Sequence, residues 1–310
     1  MKRLFLFAAY DRDGTVDDTL TYYLGELSRL GDLVVVMDND TTDNELAKIK
    51  SIPNVLYAAA TRHGEYDFGS YKRAYQYARD NKILENYDWV YLVNDSVLGP
   101  LYDISPILKD LESRGVDFTG MVSNSDEIIP LHIQSWFVGI SQKIFQSNFF
   151  DDFMNDIKRQ DDKDNIVLKY EIRLSRIIIQ RGYKSYAYSD SRCNDAGFII
   201  YANPLETLKK GIPFIKKASL GRIKGTQYLI PYAQNTDFLN AVFANANRYN
   251  ITLDNSPRRF DYKKCFRFTF LSIPLCTIYH QNLRSVQNYK AYIFDKIPVL
   301  KISFRKAENI

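Results

Sequence analysis

Short apolar runs and segments with apolar residues at helical spacing alternate along the first two-thirds of the chain. The apolar runs predict strands at residues 4–9, 33–37, 55–60, 89–93 and 117–122, and the spacing predicts helices at residues 20–30, 43–50, 68–82, 105–113 and 166–180. Unbroken β-branched runs such as residues 33–37 are typical of parallel strands that are covered on both faces. We therefore predict an α/β fold with a mostly parallel sheet flanked by helices. Gly31 and Gly182 follow two of the helices, where a left-handed C-terminal cap favours glycine.

Polar residues follow four of the predicted strands. They are Tyr10 and Asp11, then Asp38, Asn39 and Asp40, then Arg62, His63 and Gly64, and finally Asn94, Asp95 and Ser96. Open parallel sheets bind their ligands beyond the carboxyl ends of the strands, so these loops are candidates for a binding site. Loops are commonly polar without such a role, and this pattern alone favours a site only modestly.

Each of these loops has a functional and a structural interpretation. The Asp38 carboxylate can accept hydrogen bonds from a ribose or a base, but the Thr/Asp run that follows it is also typical of a helix N-cap. Arg62 suits a diphosphate and Gly64 a close backbone approach, whereas a tight turn with a surface arginine is the alternative. Asp95 suits Mg²⁺ or Mn²⁺, and a simple Asx-turn is its alternative. No P-loop, HExxH, GxSxG or GxGxxG motif is present.

Two further groups carry candidate chemistry. His132, Gln134 and Ser135 suit sugar hydroxyls, and Trp136 suits stacking on a sugar, although a half-buried strand with a core tryptophan explains them equally well. Glu171 suits a general base, but an acid in the first turn of a helix is the simpler explanation from position alone. The lone histidines His63 and His280 are predicted to be structural or surface residues.

The charge is distributed unevenly along the chain. The net charge is +4, but residues 207–310 hold 18 Lys/Arg and 5 Asp/Glu, which is 18 − 5 = +13, and residues 1–206 carry −9. We predict two regions, an acidic domain of residues 1–206 and a basic, aromatic-rich, mainly helical region of residues 207–310. Three cysteines without CxxC spacing argue against a disulfide scaffold or a zinc site. No apolar run has the length of a membrane span, so a cytoplasmic location is expected.

Several segments together resemble a known family. Residues 38–44 resemble the DDGSTDNT-like segment of family-2 glycosyltransferases with the GT-A fold. More closely, residues 10–14, 64–72, 92–100, 132–137 and 213–217 resemble the rhamnan-synthesis F family of bacterial polysaccharide glycosyltransferases. The resemblance spans roughly residues 4–217.

The resemblance implies a GT-A-like fold and roles for individual residues. Tyr10, Asp11, Asp38 and Asn39 would hold the base and ribose of a nucleotide sugar, while Arg62, Gly64 and Asp67 would flank the donor. Asn94, Asp95 and Ser96 occupy the place of the DXD motif, in which Asp95 is the single carboxylate and the expected ligand of Mg²⁺ or Mn²⁺. His132, Gln134, Ser135 and Trp136 would contact the acceptor. Glu171 precedes Gly182 at the spacing of the ED…RL…Gly segment, with Tyr170 in place of the first acid, and is the expected base of an inverting enzyme.

The sequence therefore predicts a glycosyltransferase, an inverting hexosyltransferase of cell-surface polysaccharide, lipopolysaccharide or capsule assembly. It would move a sugar such as L-rhamnose from a dTDP- or UDP-sugar to a glycan or lipid-linked glycan. The basic region would contact the anionic inner face of the plasma membrane, making the protein peripheral there, with no nucleic-acid partner. The alternative is a non-catalytic nucleotide-sugar- or glycan-binding protein that has lost the DXD metal site.

Overall fold

The chain divides into two compact units. The computed structural model describes residues 1–125, 130–189, 200–223, 226–251, 263–270, 273–282, 286–294 and 297–305. Its two units are Met1–Asn255 and Ser256–Ile310. The first unit thus continues past residue 206, where the change in charge predicts a boundary, and it includes the helices Pro204–Lys209 and Thr236–Arg248.

A mixed sheet forms the centre of the first unit. The strands of this unit are β1 (Arg3–Ala9), β2 (Asp32–Met37), β3 (Val55–Ala60), β4 (Trp89–Asn94), β5 (Val97–Leu98), β6 (Phe118–Asn124), β7 (His132–Ile133), β8 (Phe137–Ser141), β9 (Ser185–Ser189) and β10 (Ile215–Lys216). The sheet order is β3-β2-β1-β4-β8-β6-β7, with β9 paired to β6. Strands β3, β2, β1 and β4 are parallel, and β8 is inserted antiparallel between β4 and β6. The short strands β5 and β10 form a separate antiparallel pair.

Helices cover both faces of this sheet. The α-helices described in the first unit are α1 (Asp18–Ser28), α2 (Asp43–Lys50), α3 (Tyr66–Asp80), α4 (Ser105–Ser113), α5 (Gln142–Phe145), α6 (Asn148–Asn155), α7 (Lys163–Ile166), α8 (Arg173–Gln180), α9 (Pro204–Lys209) and α10 (Thr236–Arg248), of which α9 and α10 pack in a separate core. Phe5 and Phe7 of β1 pack in one core with residues of α1 and α4, while Leu4 and Leu6 pack in a second core with residues of α3. Both faces of β1 are therefore buried, and the predicted α/β fold with a mostly parallel sheet flanked by helices is confirmed.

The two glycines that follow helices differ in their roles. Gly182 adopts the left-handed conformation, with φ +82°, as predicted. Helix α1 instead ends at Arg29 in the right-handed region. A Cβ at Gly31 would lie 2.4 Å from the backbone oxygen of Arg3, so the close approach of β1 requires glycine there.

The second unit is an antiparallel sheet. Its strands β11 (Lys263–Phe270), β12 (Ile273–Asn282), β13 (Val286–Ile293) and β14 (Ile297–Arg305) pair in chain order. The prediction of a mainly helical C-terminal region holds for α9 and α10 and is wrong for these strands. Their aromatic and β-branched residues recur every second position, as Phe266, Phe268 and Phe270 do, which favours strands. None of the helices in the described part of the chain has the length and apolar character needed to cross a bilayer.

Candidate functional site

The loops after β1 and β2 meet through two of the predicted site residues. The Asp11 carboxylate accepts hydrogen bonds from the amides of Asp13 at 3.0 Å and Thr15 at 3.1 Å. The buried Asn39 side chain donates to the backbone oxygen of Asp11 at 2.6 Å. The structure therefore brings Asp11 and Asn39 together, as predicted, and gives both a role in shaping this edge of the sheet.

The last residue of α10 and the residue that follows it complete the environment of Asp11. Arg248 forms ion pairs with Asp11 and, at 3.2 Å, with Asp17, and the Tyr249 hydroxyl donates to Asp11 at 2.6 Å. Burial alone would raise the pKa of Asp11, but the hydrogen bonds from Arg248 and Tyr249 outweigh it and lower that pKa. Sequence reasoning missed both residues, because they lie in a region with no recognised motif.

Asp38 holds the loop between β3 and α3. Its Oδ1 accepts from the amides of His63 at 2.8 Å and Gly64 at 2.9 Å, and Gly64 adopts φ +67°. His63 Nδ1 accepts from the amide of Glu65 at 3.1 Å, which assigns the ring proton to Nε2, where Ser70 Oγ lies at 3.0 Å. Burial lowers the pKa of His63, so the ring is a neutral structural element.

Tyr10 and Arg62 lie at the surface of the same edge. Tyr10 is 53% exposed. Arg62 Nε donates to Asp40 Oδ2 at 2.8 Å, and both side chains are largely exposed. An exposed pair of this kind contributes little to stability, so Arg62 can exchange Asp40 for another anion at small cost.

Asp67 and Asn94 connect α3 to the end of β4. The Asn94 amide donates to Asp67 Oδ2 at 2.9 Å, and its oxygen accepts from the Ser96 amide at 3.1 Å and hydroxyl at 2.6 Å. Burial raises the pKa of Asp67, and the negative charge of Glu171 raises it further. Asp67 and Glu171 therefore act on each other electrostatically. Glu171, the predicted base, thus lies close to the start of α3 and the end of β4.

Glu171 lies in a π-helical turn, Val167–Ile172, between α7 and α8. Its Oε2 accepts from the Ser135 amide at 2.7 Å and hydroxyl at 2.5 Å, and its Oε1 lies 3.3 Å from His132 Nε2. Burial alone would raise the pKa of Glu171, but the interactions with His132 and Ser135 lower it. The carboxylate is thus ionised at neutral pH, and π turns are frequent at functional sites.

The four predicted acceptor residues divide into two pairs. His132 and Ser135 contact Glu171. Gln134 accepts from the Trp136 indole at 2.9 Å, and both side chains are buried. Trp136 is 2% exposed and its ring packs against Phe214 at 5.5 Å. Direct stacking of a sugar on Trp136 would therefore require a neighbour to move.

Two lysines that were not predicted as site residues lie beside the loop after β4. Lys216 Nζ donates to Ser96 Oγ at 2.9 Å, and Lys217 Nζ lies 3.1 Å from Asp95 Oδ2. Burial lowers the pKa of Lys216 to about 7, although Glu171, Asp67 and Asp95 favour its charged form. The available clue was a pair of lysines directly after the apolar run Pro213–Ile215, which indicates a lysine inside a strand.

The residues in the place of the DXD motif do not fit a divalent cation. Asp95 is paired with Lys217, and Ser96 accepts from Lys216. Asn94 directs its oxygen to Ser96. Within the described ranges, no three His, Cys, Asp or Glu side chains are grouped so that they could hold a metal. The oxygen atoms that Mg²⁺ or Mn²⁺ would need are therefore engaged by ammonium groups and a hydroxyl.

These features define an α/β protein with a polar, charged site at the carboxyl ends of its central strands. The family model of rhamnan synthesis protein F matches residues 33–254, more than two-thirds of the chain. The chain belongs to this family, and is thus a member of a glycosyltransferase family of polysaccharide synthesis. No curated protein is significantly similar to the chain.

Solved structures with a similar chain path include sugar transferases. Core-mannan synthase A of Aspergillus fumigatus, in a Mn/GDP form, is 11% identical, with a TM-score of 0.35 over 57% of this chain and 69% of that one. The mannosyltransferase Ktr4p of S. cerevisiae in complex with GDP is 9% identical, with a TM-score of 0.34 over 50% of this chain and 60% of that one. A protein of Desulfovibrio desulfuricans described as a nucleotide-diphospho-sugar transferase is 16% identical, with a TM-score of 0.34 over 61% and 81%. At these scores no residue role is transferred from these proteins.

Proposed function

We propose that the protein is an inverting glycosyltransferase that takes a sugar from a nucleotide-sugar donor. The observation that carries the proposal is the ionised Glu171 carboxylate, which Ser135 and His132 hold and which interacts electrostatically with Asp67 and Lys216 beside the end of β4. Family membership supports a role in polysaccharide synthesis, and the family name supports L-rhamnose as the sugar. The proposed carrier is dTDP or UDP.

The proposed reaction is a single displacement at the anomeric carbon. Glu171 takes the proton of the acceptor hydroxyl while the hydroxyl oxygen forms the new bond to that carbon. The bond from the anomeric carbon to the diphosphate oxygen breaks, and its electron pair leaves with the nucleoside diphosphate. Asp11, Asp38 and Asn39 line the edge proposed for the base and ribose, and Arg62 and Asp67 flank the donor. His132 and Ser135 position the base.

The acceptor is proposed to be a glycan or a lipid-linked glycan at the inner face of the plasma membrane. Residues 256–310 hold 11 Lys/Arg and 3 Asp/Glu, which is 11 − 3 = +8. Each basic residue near an anionic surface adds about 1 kcal/mol of attraction. This charge supports peripheral membrane binding through the second unit.

A panel of nucleotide sugars tests the proposal. The full chain is incubated with dTDP-rhamnose and with UDP-sugars, each with and without a glycan acceptor, and nucleoside diphosphate release and the glycan product are measured. We expect release that depends on one donor and on the acceptor, and a product anomer opposite to that of the donor. Retention of the donor's anomeric configuration would contradict the role of Glu171.

A second candidate function is non-catalytic binding of a nucleotide sugar or glycan. It is favoured by the ion pair between Asp95 and Lys217 and by the two hydrogen bonds from Ser135 that engage one oxygen of Glu171. Donor binding without turnover across the whole panel would support this candidate over the transferase.

A further inference from the structure

The backbone fixes two adjacent lysines beside the loop after β4. Strand β10 pairs antiparallel with β5, so that Lys216 lies opposite Val97, and the amide of Lys217 donates to the Ser96 oxygen at 2.9 Å. The segment Asn94 to Ser96 and the two lysines are thus held together by main-chain hydrogen bonds. Their proximity does not depend on the side chains themselves.

The two lysines differ in their partners. Lys217 pairs with Asp95, and both side chains remain partly exposed. Lys216 is 5% exposed, and its contacts in the described part of the chain are the Ser96 hydroxyl and the rings of Trp136 and Tyr201, at 5.1 Å and 5.5 Å. An ammonium group held this way is attracted by the rings and by more distant carboxylates, but its burial is not offset by a direct ion pair.

The position of Lys216 is central to the site. Its electrostatic neighbours include Glu171, Asp67 and Asp95, which come from the π-helical turn before α8, the first turn of α3 and the loop after β4. An anionic group that reaches this point would gain a direct, charge-assisted hydrogen bond in a poorly hydrated place. A diphosphate is the anion that the proposed donor carries.

We propose that Lys216, together with Lys217, binds the diphosphate of the nucleotide-sugar donor directly, at the position where a divalent cation would otherwise bridge the phosphates. This inference rests on the proposed function and names how its donor is held. As the bond to the anomeric carbon breaks, the electron pair adds one negative charge to the diphosphate, and the two ammonium groups stabilise it. Glu171 keeps the proton taken from the acceptor.

A metal at the same place is opposed by charge. To ligate it, Asp95 would have to release Lys217, and the metal would then stand beside two ammonium groups. Like charges at such short distances repel strongly in a partly buried site. The same arrangement suits a doubly charged anion, which neutralises both lysines at once.

Calorimetric titration of the full chain with UDP, dTDP and GDP tests the proposal. Each titration is run once with EDTA and once with added Mn²⁺. We expect one of these nucleotides to bind in EDTA, with an affinity that Mn²⁺ changes by less than about threefold. Lys216→Met should weaken this binding by about tenfold or more, as expected for loss of a charged hydrogen bond, and Lys217→Met should weaken it less.

Two variants serve as comparisons. Lys216→Arg keeps the charge and should bind within a few-fold of the wild type. Lys210→Met removes an exposed lysine just after α9 and should leave the affinity unchanged. Where Lys216→Met does not fold, as judged by thermal unfolding and Trp emission, the partly exposed Lys217→Met and the EDTA titration decide the question.

The outcomes separate the inference from the proposed function. Nucleotide binding that requires Mn²⁺ and is unaffected by either lysine variant overturns the inference and leaves the transferase proposal standing. If no nucleoside diphosphate or nucleotide sugar binds under any condition, the proposed function fails with it.

Discussion

The carboxylate of Glu171 accepts both the amide and the hydroxyl hydrogen of Ser135, at 2.7 Å and 2.5 Å. Both bonds reach the same oxygen, Oε2, while Oε1 lies 3.3 Å from His132. Ser135 therefore fixes the rotamer of the acid and favours its ionised form. An acid held this way can accept a proton without reorganising its surroundings.

Glu171→Gln should abolish sugar transfer and preserve donor binding. The amide keeps the size of the side chain but cannot take a proton, so we expect kcat to fall by about 10²–10⁴. Nucleotide affinity, measured by calorimetry, should change less than threefold, roughly the loss of a weak contact. Glu26→Gln, at a partly exposed acid on α1 outside the site, is the matched control. Transfer that survives Glu171→Gln would remove this residue from the reaction.

Nucleotide affinity should fall as the pH rises above 7. The pKa of Lys216 is about 7, below its usual value, so the free protein loses this positive charge at higher pH. Binding of a diphosphate would then require uptake of one proton, which weakens it by up to about tenfold per pH unit. Titrations between pH 6 and about 9 measure the slope. Lys216→Arg stays charged and should flatten the curve, and an unchanged slope in that variant would assign the effect to another group.

Arg248→Met should destabilise the first unit. The change leaves the buried Asp11 carboxylate and that of Asp17 without their ion-pair partner, at a cost of about 3 kcal/mol in the free energy of unfolding. Urea unfolding at neutral pH measures the loss, with Arg29→Met at an exposed position as control. The pKa of Asp11 is lowered in the folded state, so its contribution is present above the unfolded value and is lost as the pH falls through the folded one. The difference between wild type and Arg248→Met should therefore shrink in acid.

Asp67→Asn should stabilise the protein and weaken its site. Burial and the charge of Glu171 raise the pKa of Asp67, so the folded state holds its proton more tightly than the unfolded chain does. The ionised carboxylate therefore destabilises the folded state at neutral pH. Removing its charge should raise the free energy of unfolding by about 1 kcal/mol, and this gain disappears as the pH falls. The new amide can still accept from Asn94, which preserves the local geometry. A loss of stability at pH 7 would mean that the charge of Asp67 is compensated within the site.

Truncation after Asn255 should abolish binding to anionic vesicles without unfolding the first unit. The truncation is placed at the boundary between the two units, because truncation at residue 206, the boundary predicted from the charge, would also remove Arg248 and Tyr249, which hold Asp11. Sedimentation with phosphatidylserine vesicles at low and high salt measures binding, and neutral vesicles are the control. Equal sedimentation of the full and truncated chains would show that the membrane contact lies in the first unit instead.

The sequence predicted the central strands well because their apolar runs are buried on both faces. The run from Leu33 to Met37 is apolar at every position, so no alternation of apolar and polar residues has to be read correctly. The predicted strand differs from the observed one by a single residue at its start. The antiparallel insertion of β8 was not predicted, since its place between β4 and β6 depends on pairing between distant segments. The second sheet was missed because its basic residues obscured the period-2 pattern in strands such as β11.

Sequence reasoning singled out residues that lie in motifs and missed residues that come from elsewhere in the chain. Glu171 and Ser135 were both candidates, but only the folded chain shows that they are bonded partners. A lysine pair in a sequence usually indicates solvated charge, and the burial of Lys216 follows from the pairing of β10 with β5. The sequence around Arg248 gives no indication of its role, because its partners Asp11 and Asp17 lie near the start of the chain.

The bond between Arg248 and Asp11 joins residues 237 positions apart in the chain. Contacts of such high sequence separation form late in folding, because the entropy of closing the intervening loop opposes them until the rest of the structure is in place. During synthesis, the first loop of the sheet is made early and stays incomplete until the ribosome has passed Tyr249. A nascent or truncated chain would therefore form the strands of the sheet before the edge around Asp11 is complete, and the nucleotide binding proposed for this edge would report completion of the whole first unit.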